Sequence, residues 1–208
     1  MPNEPNTKRV IAFFDGQNLF WAAKYAFGYS FPNYDPQKLA EAICLAKGWQ
    51  LSEVNFYTGI PNMSDNAFWH KFWSNKLAHM GRNKINTFSR PLRYRNQKIK
   101  LPDGSEHTTL VSTEKGIDVR LALDIVRLGL RKAYDVALIF SQDQDLSEVA
   151  DEIRLISQEQ RRWIKVASAY PVSPTYNNTR GINSTEWIKI NRATYENCID
   201  ARDYRPTD

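Results

Sequence analysis

The 208-residue chain is short of the residues that mark several protein classes. Its two cysteines, Cys44 and Cys198, lie far apart and outside any CxxC or Cys/His ligand spacing. Neither a disulfide scaffold nor structural zinc is indicated, and a reduced, cytoplasmic protein is expected. No apolar run approaches the roughly 20 residues that a bilayer span needs, so no membrane partner is expected. The opening segment MPNEPNTK lacks the apolar centre of a signal peptide. Motifs with chemistry of their own are missing too. There is no GxGxxG after the first apolar run, no GxxxxGK[ST], no GxSxG and no HExxH, which removes support for dinucleotide, P-loop, serine-triad and zincin chemistry. His70, His79 and His107 have no metal-ligand spacing, and Gln17 stands where an aspartyl-phosphate enzyme would need a second acid.

What is present is an ordinary globular composition: 42% hydrophobic and 25% charged, with Trp 6, Tyr 10 and Phe 10. That much apolar surface excludes disorder over most of the chain and fits one domain with at most an appendage. The net charge of +5 is unevenly spread. Between Gly81 and Pro102 stand seven bases (Arg82, Lys84, Arg90, Arg93, Arg95, Lys98, Lys100) and no acid, so the remainder of the chain is at −2. A polyanion such as RNA fits this strip; a solvated basic loop has the same composition.

Short apolar runs alternate with helical patterns along the chain. Strands are predicted at Arg9–Phe14, Val54–Thr58, Ile85–Phe88, Val136–Phe140, Trp163–Ala169 and Trp187–Ile190. Helices are predicted at Gln17–Tyr29, Asp35–Lys47 with Gly48 as its stop, Asn66–Met80 closed by Gly81, Ile117–Leu130 and Leu146–Ile156. Phe68, Trp69, Phe72, Trp73, Leu77 and Met80 recur at helical spacing and read as core rather than as a stacking platform. Arg93–Ser112 reads as a β-hairpin turning at Pro102-Asp103-Gly104, with Tyr94 placed either for base stacking or for packing. The fold class is α/β: a three-layer α/β/α sandwich on a mostly parallel sheet, with the basic hairpin as an insertion. The expected organisation is a flexible N-terminus over 1–8, a domain over 9–170, and an extension over 171–208 packing on that domain.

In a parallel sheet, ligands collect outside the carboxyl ends of the strands. Two predicted strands lead there into acid: Arg9–Phe14 into Asp15, and Val136–Phe140 into Asp143-Gln144-Asp145. Asp118 opens the helix after Glu114-Lys115-Gly116. Singly, each has a plain structural role, as a helix cap or an Asx-turn. Jointly they form a group of carboxylates that repel one another unless cations compensate. Oxygen ligands of this kind suit Mg²⁺ or Mn²⁺.

Asp15-Gly16-Gln17-Asn18, Glu114-Lys115-Gly116-Ile117-Asp118 and Ser141-Gln142-Asp143-Gln144-Asp145 together resemble the NYN domain family of PIN-like nucleases, in order and spacing over roughly Arg9 to Ala169. The resemblance implies RNA phosphodiester hydrolysis at an acidic pocket holding a divalent metal. Asp15, Asn18, Asp118, Asp143 and Asp145 match its catalytic positions, with Asp15, Asp118 and Asp143 as metal ligands. Asp124 and Ser141 are expected behind these. Many members have Gly where Gln142 stands, and because Gln does not readily take a positive φ this loop is expected to have its own shape. The alternatives are a non-catalytic RNA-binding or regulatory module and, from the names of some related bacterial sequences, a pyridine-ring hydroxylase. RNA is the expected partner, and a second copy of the chain is a further candidate.

Phosphate contacts from Arg90, Arg93, Arg95, Lys98 and Lys100 would give affinity without sequence preference. Replacing Arg93 and Arg95 together by Ala should weaken binding equally for unrelated RNAs. It should also flatten the log–log salt dependence by roughly one unit per lost contact. Identical slopes for wild type and the double variant in a salt titration would reduce the strip to a solvated loop.

Overall fold

Alternation of side chains along two central strands explains the layering. The computed structural model describes residues 2–100, 105–113 and 116–206. β1 (Arg9–Asp15) leads into α1 (Gly16–Phe27), then α2 (Pro36–Lys47), β2 (Gln50–Ile60), α3 (Ala67–Arg82) and β3 (Asn86–Pro91). β4 (Arg93–Lys100) and β5 (Glu106–Thr113) follow, then α4 (Ile117–Leu130), β6 (Val136–Phe140), α5 (Ser147–Glu159), β7 (Lys165–Pro171), β8 (Glu186–Ile190) and α6 (Arg192–Glu196). Six strands form one sheet in the order β3-β2-β1-β6-β7-β8, every pair parallel. Val10, Ala12 and Phe14 of β1 and Val136, Leu138 and Phe140 of β6 face a core closed by α1, α2 and α3. The intervening Ile11, Phe13, Ala137 and Ile139 face a second core closed by α4 and α5. Strands buried on both sides are continuous apolar runs, which is why they stand out in the sequence.

The expected three-layer α/β/α architecture is therefore the one observed. The predicted bounds of α4 and β6 match, and elsewhere local chemistry moves them. β2 begins at Gln50, four residues before the predicted start, because its first half alternates exposed and half-buried residues and has no apolar run. Gly81 lies inside α3, which ends at Arg82 with Asn83 as its C-cap, and the left-handed turn falls on Lys84. The stripe on α3 is core at Phe72, Trp73, Leu77 and Met80, while Phe68 is exposed. β4 and β5 form a separate antiparallel ribbon pairing Arg93 with Thr113 and Lys100 with Glu106. Pro102-Asp103-Gly104 and Glu114-Lys115 lie outside the described residues, as do the side chains of β4 and β5. Among the described residues, no helix is long and apolar enough to cross a membrane.

Two ion-pair sets tie distant segments to this frame. Asp135, at the start of β6, accepts from the Arg9 backbone N at 2.9 Å and Nε at 3.1 Å, and from Arg162 Nη1 at 3.2 Å. Buried Lys76 on α3 donates to the Tyr34 carbonyl at 3.0 Å and lies 3.5 Å from Asp200 Oδ2. Its ammonium also sits 4.8 Å from the Tyr204 ring centroid. Burial pushes the Lys76 pKa down, and Asp200 opposes that shift.

Burial alone would raise the Asp135 carboxyl, but Arg9 and Arg162 hold it below the usual aspartate value. Its contribution to stability is therefore present above about pH 3.9, the unfolded value, and is lost as pH falls through the lower folded one. Asp135→Asn should destabilise the protein by about 2–3 kcal/mol near neutral pH, discounted where half-exposed Arg9 is screened by solvent. In urea unfolding, the gap to wild type should close below about pH 4. A gap that persists at pH 2 would assign the loss to packing instead.

Candidate active site

The site grows from the last residues of β1 and β6, neighbours in the middle of the sheet, with Phe14 opposite Phe140. One residue further, Asp15 is buried and forms the N-cap of α1, its Oδ1 accepting from the Asn18 backbone N at 3.1 Å. Its Oδ2 accepts from the Ser141 hydroxyl at 3.1 Å, and the same hydroxyl oxygen accepts from the Asp143 backbone N at 3.1 Å. Ser141 thus couples the two strand-end acids. Asp143 Oδ1 in turn accepts from the Asp145 backbone N at 3.0 Å and caps a 3₁₀ turn over Gln144–Leu146. The capping roles and the functional reading are compatible, because a carboxylate has more acceptor positions than a cap uses.

Asp118 comes from the other layer, on the first turn of α4. The residue before α4 is Gly116, its N-cap, whose φ of +81° suits glycine. A Cβ there would come within 2.5 Å of Arg90 Nη1, so glycine also admits the exposed Arg90 guanidinium beside this turn. At the opposite wall, Gly16 lets α1 start against β2, since a Cβ would lie 2.6 Å from Phe56 Cζ. One carboxylate oxygen each from Asp15, Asp118 and Asp143 lies within 4.8 Å of the others. Burial, followed by the charges of Asp143 and Asp145, pushes the Asp118 pKa up. Three hard oxygen donors in mutual repulsion are the donor set a hexacoordinate divalent cation accepts.

The remaining predicted residues fall around this triad. Asp145 is exposed and close enough to Asp118 to raise its pKa, but lies outside the triad. Asn18 Oδ1 accepts from the Gln142 backbone N at 2.9 Å, so Asn18 holds the β6 loop as well as following Asp15. Asp124 points away, pairing with Arg120 at 2.7 Å and Arg127 at 2.8 Å and accepting from the Tyr57 hydroxyl at 3.1 Å. Arg93 and Arg95 stand on the ribbon, whose two ends meet β3 and the segment before α4. Leu92 ties its base to the sheet by donating to the Ile60 carbonyl at 2.8 Å. Lys98 and Lys100 stand further along the same strand.

Sequence reasoning missed what the two glutamines do. Gln142 is buried, and its backbone is not among those with positive φ. Its Nε2 donates to the carbonyls of Arg180 at 2.7 Å and Asn178 at 3.2 Å. Gln144 Nε2 donates to the Gly181 carbonyl at 3.0 Å, and its Oε1 accepts from the Asn183 N at 3.2 Å. The loop over 178–183 is thereby fastened to the acid-bearing loop. The departure from glycine at position 142 was the only signal for it.

Because the Asp118 pKa is raised in the fold, its charged form is disfavoured there, and the penalty acts at neutral pH. In chelator at pH 7, Asp118→Asn should melt higher than wild type, and the difference should shrink as acid protonates Asp118. A lower melting temperature for the variant at pH 7 would contradict this electrostatic picture.

Among solved structures, protein VPA0982 of Vibrio parahaemolyticus, of unknown function, is similar with a TM-score of 0.52 and 15% identity. The match covers 91% of this chain and 97% of that one, a likeness of fold. A deacetylase of teicoplanin biosynthesis, in complex with teicoplanin, matches with a TM-score of 0.31 and 16% identity over 76% of this chain and 68% of that one. No curated protein matches. The NYN domain model matches residues 9–159, a span that contains all three acids of the triad and the sheet from β1 to β6 that presents them. The chain belongs to the NYN domain family.

Proposed function

We propose that the protein is a metal-dependent ribonuclease, hydrolysing RNA phosphodiester bonds at the pocket of Asp15, Asp118 and Asp143 with Mg²⁺ or Mn²⁺. The observation that carries this reading is the convergence of those three carboxylates within 4.8 Å, in a family of PIN-like nucleases. A bound divalent ion supplies a more acidic water and a counter-charge for the phosphate oxygens. The chain's own residues do the rest. Asp15, fixed by the Ser141 hydroxyl and the Asn18 amide, is the rigid donor. Asp143 shares the Ser141 link and is held from its other side by the Asp145 amide. Asp118 closes the pocket from the opposite layer, and exposed Asp145 stands at its mouth. Arg90 offers its guanidinium beside the α4 turn to phosphate, and Arg93, Arg95, Lys98 and Lys100 extend that contact along the strand of RNA.

Residues 9–170 serve in this reading as the nuclease domain. Residues 171–208 serve as an extension of that domain, a reading supported among the described residues by β8 at the sheet edge and by the hydrogen bonds of Gln142 and Gln144. Asp143→Asn should keep the wild-type circular dichroism spectrum. Cleavage of a labelled RNA in Mg²⁺ or Mn²⁺ should fall by about 100-fold or more, since groups that merely support a metal ligand already cost 10- to 100-fold. Chelator should abolish wild-type cleavage. A variant as active as wild type would exclude the mechanism.

A further inference from the structure

The outward face of α1 is unusual for a helix that packs on a sheet. Trp21 and Tyr25 are 44% and 62% exposed and stack on each other, with ring centroids 6.0 Å apart and planes 25° apart. Tyr25 stacks in turn on Tyr176, at 6.2 Å and 14°. On the other side Trp21 lies 5.5 Å from Phe20, and Phe20 lies 6.2 Å from Trp69. Gln17, Phe20, Trp21, Lys24, Asn66 and Trp69 line a cleft of about 370 Å³ there. The Lys24 ammonium sits 4.7 Å from the Trp21 ring centroid. α1 carries no Asp or Glu, so the surface is aromatic with positive charge.

Helix geometry joins this surface to the acidic pocket. At 100° and 1.5 Å per residue, Tyr25 lies within about 20° of Asn18 around the axis and about 10.5 Å along it. Trp21 lies between them along the axis, about 4.5 Å from Asn18 and about 60° round from it. The far end is tied to the pocket as well, since Tyr176 precedes the loop whose backbone Gln142 holds. Aromatic rings with a cation beside them, and no acid, suit unpaired nucleobases on a phosphate backbone. A duplex keeps its base faces covered and cannot use such a surface.

Resting on the ribonuclease reading, we propose that the Trp21–Tyr25–Tyr176 face and the Trp69 cleft form a stacking track for unpaired bases of the strand cut at the triad. The test measures binding of a fluorescein-labelled single-stranded adenylate hexamer and, as the duplex, of a labelled G·C-rich RNA hairpin, with metal chelated to prevent turnover. Cleavage in Mg²⁺ or Mn²⁺ is followed in parallel. Trp21→Ala and Tyr25→Ala should each weaken single-strand binding about 5- to 100-fold, and Trp21→Phe should recover much of the loss because a ring remains. Duplex binding should not change. Tyr25, the more exposed ring, gives a second reading if Trp21→Ala does not fold. Folded Tyr25→Ala and Trp21→Phe or Ala variants that bind the hexamer like wild type, while wild type cleaves RNA, would overturn the track alone. A wild type that neither binds the hexamer nor cleaves RNA would overturn both proposals.

Discussion

The parallel ladder between β1 and β6 sets Phe14 opposite Phe140, and that register is the constraint on which the acidic pocket depends. The two rings stack at 3.9 Å with planes 7° apart, directly beneath the strand ends. Side chains alternate with period 2, so a slip of one residue would send the apolar sets of the slipped strand to the wrong helical layers. The same slip would part Asp15 from Ser141. The placement of the two strand ends is therefore specified by the core below them, whose driving force is hydrophobic.

What the core gains, the carboxylates oppose. Converging acids disfavour each other's ionisation, and at Asp118 burial first and then the charges of Asp143 and Asp145 push the pKa up. The structure answers by tethering: Ser141 bridges two acids, backbone amides cap two, and Asn18 and Gln142 pin their loop from both sides. Such tethers prevent the acids from relaxing apart, so a cation would meet donors already in place.

Legibility in the sequence followed burial on two sides. Val136–Phe140 and Arg9–Phe14 were visible because strands covered by helices on both faces leave uninterrupted apolar runs. The acids at their ends were visible because parallel topology dictates where strand ends go. The first half of β2 was not, since one face is wet there and no run forms. The glutamine clamp was illegible, because a side chain reaching 36 to 39 residues away leaves no local pattern. The rings of α1 were hidden for another reason. Phe20, Trp21 and Tyr25 all suit a buried helix, and only their neighbours decide which ones stay outside.

The environment of Lys76 bears on what counts as the folding unit. Its ammonium is buried under residues 200–204, which supply the Asp200 carboxylate and the Tyr204 ring, and Tyr204 itself donates to Asp200 at 2.7 Å. Trimming the chain to the segment recognised as NYN would remove β7, β8 and the residues that both cover Lys76 and supply its counter-charge, leaving the ammonium only the carbonyl and ring of Tyr34. The boundary drawn by family resemblance and the boundary drawn by electrostatic neutrality are thus different boundaries, and the second encloses the first.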